Sequence, residues 1–196
     1  ASTGMDAMTH AVEAYVATQR NPISDASALH AIRLIAGYLP VAVENGSDLV
    51  ARGQMQVAAL LAGWAFSNAM VGLVHAMAHS LGAICGTPHG LANALLLSHV
   101  MQFNLDEIPG LTADIGRAMG LDDGGMNDAE LAIEAVAEMK RLTQKIGLPQ
   151  KLNDLDIEQV HLEQAAELSL SDGSIIYNPK MIMEAEEVLN VYREAY

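Results

Sequence analysis

A long stretch without charged residues constrains this chain more than any other feature. Between Gly53 and Leu105 there is no Asp, Glu, Lys or Arg, yet the stretch contains His75, His79 and His89. Because a buried polar group without a partner costs free energy, histidines in such an apolar segment need partners. Polar residues interrupt the stretch often and no basic flank follows it. This pattern favours helices buried in a soluble protein over membrane spans.

The composition favours helices over strands. Apolar residues make up 51% of the chain and aromatic residues only 4%, so Ala, Leu, Ile, Val and Met must form the core. The length suits one domain, and no segment of useful length alternates as a strand does. We therefore predict an all-α, multi-helix domain over residues 1–196. The predicted helices are Met5–Thr18, Ser24–Val43, Leu49–Phe66, Val71–Ala83, Leu91–Phe103, Thr112–Met119, Asp128–Ile146, Asp156–Ser169 and Pro179–Tyr196.

Charge and cysteine content exclude several classes of partner. The net charge is −14 with a pI near 4.6, and such a surface repels nucleic-acid phosphates and anionic lipids. We expect neither a nucleic-acid nor a membrane partner. Cys85 is the only cysteine, so no internal disulfide can form, and Ala1–Gly4 has no signal-peptide character. These features predict a reducing, cytoplasmic location.

Two pairs of residues with i,i+4 spacing are candidates for metal binding. Asp6 with His10, and His75 with His79, would each share one face of a helix. The second pair matches the zinc helix of metalloproteases in spacing only, because Ala76 stands where that motif has its glutamate base. Such a pair alone is more often structural. The spacing leaves open which of His75 and His79 is a ligand.

His89 strengthens the metal interpretation. It follows Pro88 in the predicted first turn of a helix, where the positive helix end keeps imidazole neutral, the form that a metal binds. With Asp6 and His10 from a distant helix, the chain offers three or four nitrogen and oxygen ligands, including one carboxylate. This set suits Fe(II) or Zn(II) with a coordination position left open for substrate.

The same motifs carry a resemblance to a known family. Thr3–Tyr15 resembles the first metal motif of the iron-containing (group III) alcohol dehydrogenases, and Gly72–Ala83 with Thr87–Gly90 resembles their second signature. The likeness continues through Ala92–Ala94 and Asn178–Lys180, so it covers essentially the whole chain. It implies the family's C-terminal helical domain, which has a dehydroquinate synthase-like α-helical fold.

The resemblance also implies roles for individual residues. The family's metal ligands correspond to Asp6, His10, His75 and His89. His79 corresponds to a histidine that is not a ligand but lies near the nicotinamide and the substrate, which gives it catalytic and cofactor-binding roles. The residues that correspond to the substrate pocket are Phe66, Val71 and Ser174, the last of which replaces a cysteine found in many members.

The implied activity is hydride transfer between a small primary alcohol or aldehyde and NAD or NADP. Fe²⁺, with Zn²⁺ as the alternative metal, would polarise the substrate oxygen. Members of the family also have an N-terminal dinucleotide-binding domain, which this chain lacks. We therefore expect a fragment of a longer enzyme, which binds metal but does not turn over alcohol by itself. The intact enzyme is expected to be a homodimer or a larger homo-oligomer.

Three alternatives differ in chemistry. A zinc-dependent polyol dehydrogenase or a dehydroquinate synthase-like relative would share the helical domain. A non-catalytic module for metal binding or dimerisation would need no nucleotide domain. A carboxylate-bridged di-iron bundle is disfavoured, because its paired Glu-x-x-His motifs are missing.

Overall fold

The computed structural model describes residues 1–155 and 157–196 of the chain. Within these residues it contains nine α-helices, two short 3-10 helices and no strand, which confirms the predicted all-α class. The 3-10 helices are Leu152–Leu155 and Gly173–Tyr177. The α-helices are α1 Ser2–Val16, α2 Pro22–Glu44, α3 Leu49–Ala69, α4 Leu73–Cys85, α5 His89–Asn104, α6 Pro109–Met119, α7 Asp128–Lys145, α8 Gln159–Ser169 and α9 Ala185–Ala195.

Side-chain caps determine where several helices begin. Asp48 accepts hydrogen bonds from two backbone N–H groups in the first turn of α3, and Asn127 accepts one from the first turn of α7. These bonds satisfy donors that a helix start leaves without partners. Asn21 caps α2 in the same way, so α2 begins at Pro22 rather than at the predicted Ser24.

The last helix is shorter than predicted, because residues in its expected first turns make other contacts and are not helical. The Lys180 ammonium lies 2.9 Å from both carboxylate oxygens of Asp106, and the Asn178 amide donates to the Lys180 carbonyl. The helix therefore starts at Ala185 instead of Pro179. The helix predicted from Asp156 starts at Gln159, and Asp156 itself lies outside the described residues.

Helix α1 organises the fold. It packs against α2, α3 and α5, and α4 packs against α5 and α8. Met5 and Met8 of α1 are fully buried, as are Leu73 and Met77 of α4. This packing brings one face of α1 and the first turns of α4 and α5 together, where the candidate ligands lie.

Length and apolar composition alone would allow α2 to cross a membrane, and α3 with α4, which meet at 103°, would pass the same test as one bent pair. This is weak evidence for a membrane protein, because core helices of soluble proteins have the same length and composition.

Candidate metal centre and active site

Side chains from three helices form a cluster of metal-binding groups. Helix α1 contributes Asp6 and His10, α4 contributes His75 and α5 contributes His89. One ligand atom from each of Asp6, His10 and His75 lies within 4.8 Å of the other two. The i,i+4 spacing of Asp6 and His10 places both side chains on the face of α1 that meets the other helices.

His75 is the most buried member of this cluster, with 3% of its side chain exposed. Its Nε2 atom is 3.1 Å from Nε2 of His10 and 4.0 Å from Oδ1 of Asp6. Two unprotonated imidazole nitrogens this close repel each other unless a proton or a cation lies between them. A divalent cation would replace that repulsion with coordination.

His89 adjoins the cluster through Asp6. Its Nε2 atom is 3.3 Å from Oδ1 of Asp6, and its ring centroid is 5.3 Å from that of His75. Its side chain is 42% exposed, so it forms the open side of the cluster. A site with one exposed ligand and three less exposed ones is accessible to a substrate.

The pKa values of two histidines favour the form that binds metal. Burial lowers the pKa of His10, and the nearby charge of His75 lowers it further, while Asp6 opposes both effects. Burial is also the largest cause of the lowered pKa of His89. Both imidazoles are therefore neutral near pH 7 and able to coordinate a metal.

Asn93 on α5 provides a direct test of whether the cluster suits a cation. Its amide nitrogen lies 2.6 Å from Oδ1 of Asp6, 3.0 Å from Nε2 of His89 and 3.4 Å from Nε2 of His75. Lone pairs of Asp6, His75 and His89 thus converge on one amide group, which has only two hydrogens to donate. Its own oxygen, Oδ1, is buried without a hydrogen-bond partner among the described residues. A set so rich in acceptors fits a divalent cation well.

His79 has a different environment from His75, although they lie one turn apart on α4. Its Nδ1 atom lies 2.7 Å from Oδ2 of Asp172, and its ring stacks on that of His89 at 5.3 Å. Burial alone would raise the pKa of Asp172, but hydrogen bonds from the Ser174 N–H and from His79 keep it below its usual value. The structure therefore groups His75 with Asp6 and His10, and pairs His79 with a carboxylate.

The three predicted pocket residues line one open cavity. Phe66, Val71 and Ser174 all face this cavity of about 510 Å³. Asp172 lines it as well, and the ring of Phe66 stacks on His10 at 4.4 Å. The cavity thus lies beside both the ligand cluster and the pair formed by His79 and Asp172.

Three polar residues of the site were missed by sequence reasoning, namely Glu13, Asn93 and Asp172. Glu13 lies within the first motif and contacts His75, and Asn93 lies one turn after His89. Asp172 precedes Ser174 in the sequence. The i,i+4 spacing of His89 and Asn93 on α5 was a signal for Asn93. The partners of Glu13 and Asp172, and the other partners of Asn93, lie on other elements of the fold, so spacing along the chain could not reveal them.

Comparison with known proteins identifies the family. The model of the Fe-containing alcohol dehydrogenase family, C-terminal part, matches residues 1–196. The chain belongs to the iron-containing alcohol dehydrogenase family. The resemblance inferred from the two motifs is therefore confirmed.

Relatives within the family are named as dehydrogenases and reductases. The chain is 47% identical to 1,3-propanediol dehydrogenase of Klebsiella pneumoniae, over all of this chain and 50% of that protein. It is 38% identical to lactaldehyde reductase of Escherichia coli K12, again over all of this chain and 50% of that protein. The chain thus spans about half the length of the curated relatives it matches.

Solved structures share the fold closely. The crystal structure of a 1,3-propanediol oxidoreductase matches with a TM-score of 0.98 at 47% identity, over all of this chain and 51% of that one. The alcohol dehydrogenase from Oenococcus oeni matches with a TM-score of 0.96 at 39% identity, over the same shares of the two chains. The chain thus has the helical fold found in half of each of these enzymes.

Proposed function

We propose that this chain is the C-terminal, metal-binding half of an Fe²⁺-dependent, NAD(P)-linked alcohol dehydrogenase. The convergence of Asp6, His10 and His75 within 4.8 Å carries the proposal, and the position of His89 beside Asp6 supports a fourth ligand. The substrate would be a small primary alcohol or its aldehyde, as the names of the relatives suggest. We also propose a single domain over residues 1–196, a cytoplasmic location and an oligomeric intact enzyme.

The four ligands would hold the cation, which, when bound, supplies Lewis-acid polarisation of a substrate oxygen. Phe66 and Val71 form apolar walls that exclude water and strengthen electrostatic interactions inside the cavity. His79, oriented by Asp172, would accept the hydroxyl proton of the alcohol at Nε2 and return it during aldehyde reduction. The nicotinamide supplies the hydride chemistry, and its binding groups are expected outside this chain.

Metal analysis of matched variants tests the ligand assignment. The chain is purified without oxygen or chelator, and its iron and zinc contents are compared with those of His75→Ala and His79→Ala. Loss of a direct ligand removes the metal, so we expect about one ion per chain in the wild type and in His79→Ala, and almost none in His75→Ala. Equal metal contents in the two variants would contradict the assignment.

Turnover tests the catalytic part of the proposal. This chain would be fused to the remaining half of the Klebsiella pneumoniae 1,3-propanediol dehydrogenase, which the family resemblance implies to be dinucleotide-binding; we call this fusion the joined enzyme. We expect the joined enzyme to oxidise 1,3-propanediol with NAD⁺, and the chain alone to show no turnover. Metal binding without turnover in either form would instead support a non-catalytic metal-binding module.

A further inference from the structure

A buried carboxylate links two of the helices that form the metal centre. Glu13 lies on α1, one turn after His10, and 3% of its side chain is exposed. Its Oε2 atom is 2.6 Å from Nδ1 of His75, and its Oε1 atom accepts a hydrogen bond of 2.6 Å from the backbone N–H of Val74. One side chain from α1 thus binds both the backbone and a side chain in the first turn of α4.

The start of α4 explains why a carboxylate is stable in this buried position. Gly72 is the N-cap residue of α4 and has no side chain to accept a hydrogen bond from the helix. The first N–H groups of a helix need acceptors, and the positive end of the helix dipole favours a negative charge. Glu13 meets both needs from a different helix, which offsets the cost of burying its charge.

Gly72 also leaves the space that Glu13 occupies. A Cβ atom at this position would lie 3.3 Å from Oε1 of Glu13 and 3.4 Å from Oδ1 of Asn178. The first distance is tighter than most contacts of a Cβ atom, so a larger residue at Gly72 would require the Glu13 carboxylate to shift by a few tenths of an ångström. The absence of a side chain at Gly72 therefore allows Glu13 of α1 to reach the start of α4.

Oε2 of Glu13, which does not cap the helix, determines which nitrogen of His75 carries the proton. A carboxylate only accepts hydrogen bonds, so Nδ1 of His75 must carry the hydrogen that lies between them. In neutral imidazole the other nitrogen, Nε2, then has a free lone pair. Nε2 is the atom that faces His10 and Asp6.

We infer that Glu13 is a positioning residue of the metal centre, which keeps the proton of His75 on Nδ1 and presents Nε2 to the metal. Outer carboxylates that orient metal-binding histidines in this way typically change metal affinity by about 10- to 100-fold when they are mutated. The inference rests on the proposed function for the presence of a metal, but the protonation of His75 can be measured without one.

Glu13→Gln is the sharpest test, because glutamine has nearly the same size and shape as glutamate but replaces one acceptor oxygen with an NH₂ donor. The glutamine oxygen still accepts from Val74, while its amide group donates toward His75 and favours the tautomer protonated at Nε2. Glu130→Gln is the matched control, since Glu130 accepts a hydrogen bond from a backbone N–H at the start of α7, on the exposed surface.

Two measurements are made on the ¹⁵N-histidine-labelled chain. Long-range ¹H–¹⁵N NMR of the metal-free chain reports which nitrogen of His75 is protonated, with His75→Gln used for assignment. Competition with a chelator gives the Kd for Zn²⁺. We expect protonation at Nδ1 in the wild type and at Nε2 in Glu13→Gln, with Zn²⁺ binding about 10- to 100-fold weaker in that variant and unchanged in Glu130→Gln.

The outcomes separate this inference from the proposed function. A wild-type His75 protonated at Nε2 would overturn the inference even if the variant failed to fold. Equal Zn²⁺ affinity in wild type and folded Glu13→Gln would overturn the role of Glu13 and leave the metal centre intact. A wild-type chain protonated at Nδ1 that does not bind Zn²⁺ would overturn the proposed metal centre, and with it the positioning role.

Discussion

The Nδ1 atom of His79 lies 2.7 Å from Oδ2 of Asp172, and the other oxygen of Asp172 accepts a hydrogen bond from the Ser174 N–H. Asp172 therefore orients the imidazole and caps the 3-10 helix that forms one wall of the cavity. Because the carboxylate only accepts hydrogen bonds, it holds the proton of neutral His79 on Nδ1 and leaves a lone pair on Nε2, as the proposed proton transfer by His79 requires.

Replacement of Asp172 by Asn should slow turnover without removing the metal. The Asn amide would donate to Nδ1 and leave the proton of His79 on the wrong nitrogen. We expect kcat of the joined enzyme to fall by about 100-fold, the lower end of the usual contribution of general acid–base catalysis, with its metal content unchanged. Asp122→Asn serves as control, because Asp122 is exposed and likewise accepts a hydrogen bond from the backbone N–H two residues later. An unchanged kcat in Asp172→Asn would show that His79 needs no orienting carboxylate.

Gly90 allows α1 and α5 to approach each other closely at the ligand cluster. A Cβ atom at Gly90 would lie 2.8 Å from the Ser2 carbonyl oxygen and 3.4 Å from Cβ of Asp6. Gly90→Ala should therefore move α1 away from α5, destabilise the chain by about 1–3 kcal/mol and weaken Zn²⁺ binding. Urea unfolding and chelator competition measure the two effects.

Gly63 provides the matched control for this substitution. It lies inside α3, and a Cβ atom there would meet nothing within 4 Å. Gly63→Ala should stabilise the chain by about 0.5–1 kcal/mol, because alanine loses less conformational freedom on folding. A Gly90→Ala variant as stable as Gly63→Ala would refute the close approach of α1 and α5.

Met70 has a backbone conformation that normally belongs to glycine. It follows the last residue of α3 with φ 73° and ψ 179°, and it lines the cavity beside Val71. Such conformations cost a residue with a side chain about 1–3 kcal/mol. We expect Met70→Gly to be more stable than Met70→Ala by about 1 kcal/mol in urea unfolding, since both variants lose the same thioether. A less stable glycine variant would contradict this explanation.

His99 should make the stability of the chain depend on pH. Burial, and secondarily Lys140, lowers the pKa of His99 from 6.5 to about 4. Between these values the unfolded chain binds the proton more readily than the folded chain does, so the free energy of unfolding falls as the pH drops from 6.5 toward 4. Above pH 6.5 His99 is neutral in both states, so its titration costs the folded chain no stability.

Urea unfolding at pH 7 and pH 5 measures this dependence. The wild type should lose more stability between the two values than His99→Gln, which has no imidazole to protonate. His30→Gln, on the exposed side of α2, serves as the control for replacing a surface histidine. The same loss in wild type and His99→Gln would show that the environment of His99 does not resist protonation.

Features that depend on residues close together in the sequence could be predicted from the sequence. The all-α class follows from composition and from start and stop signals, and the shared faces of the Asp6–His10 and His75–His79 pairs follow from the helical repeat. Predictions failed where distant residues intervene. Lys180, in the non-helical segment before α9, forms an ion pair with Asp106, and no local pattern records that pair.

The sequence by itself determined the helices, the candidate ligands and the family resemblance, because each depends on residue types at short, regular spacings. The family resemblance assigned different roles to His75 and His79, but only the tertiary structure decided which side chains surround each of them, since both lie on one face of α4. His75 meets Glu13, His10 and Asp6 from α1, whereas His79 meets Asp172 from beyond α8. The physical reason is that hydrogen bonds and metal coordination act over a few ångströms in space, and only packing of the helices sets those distances.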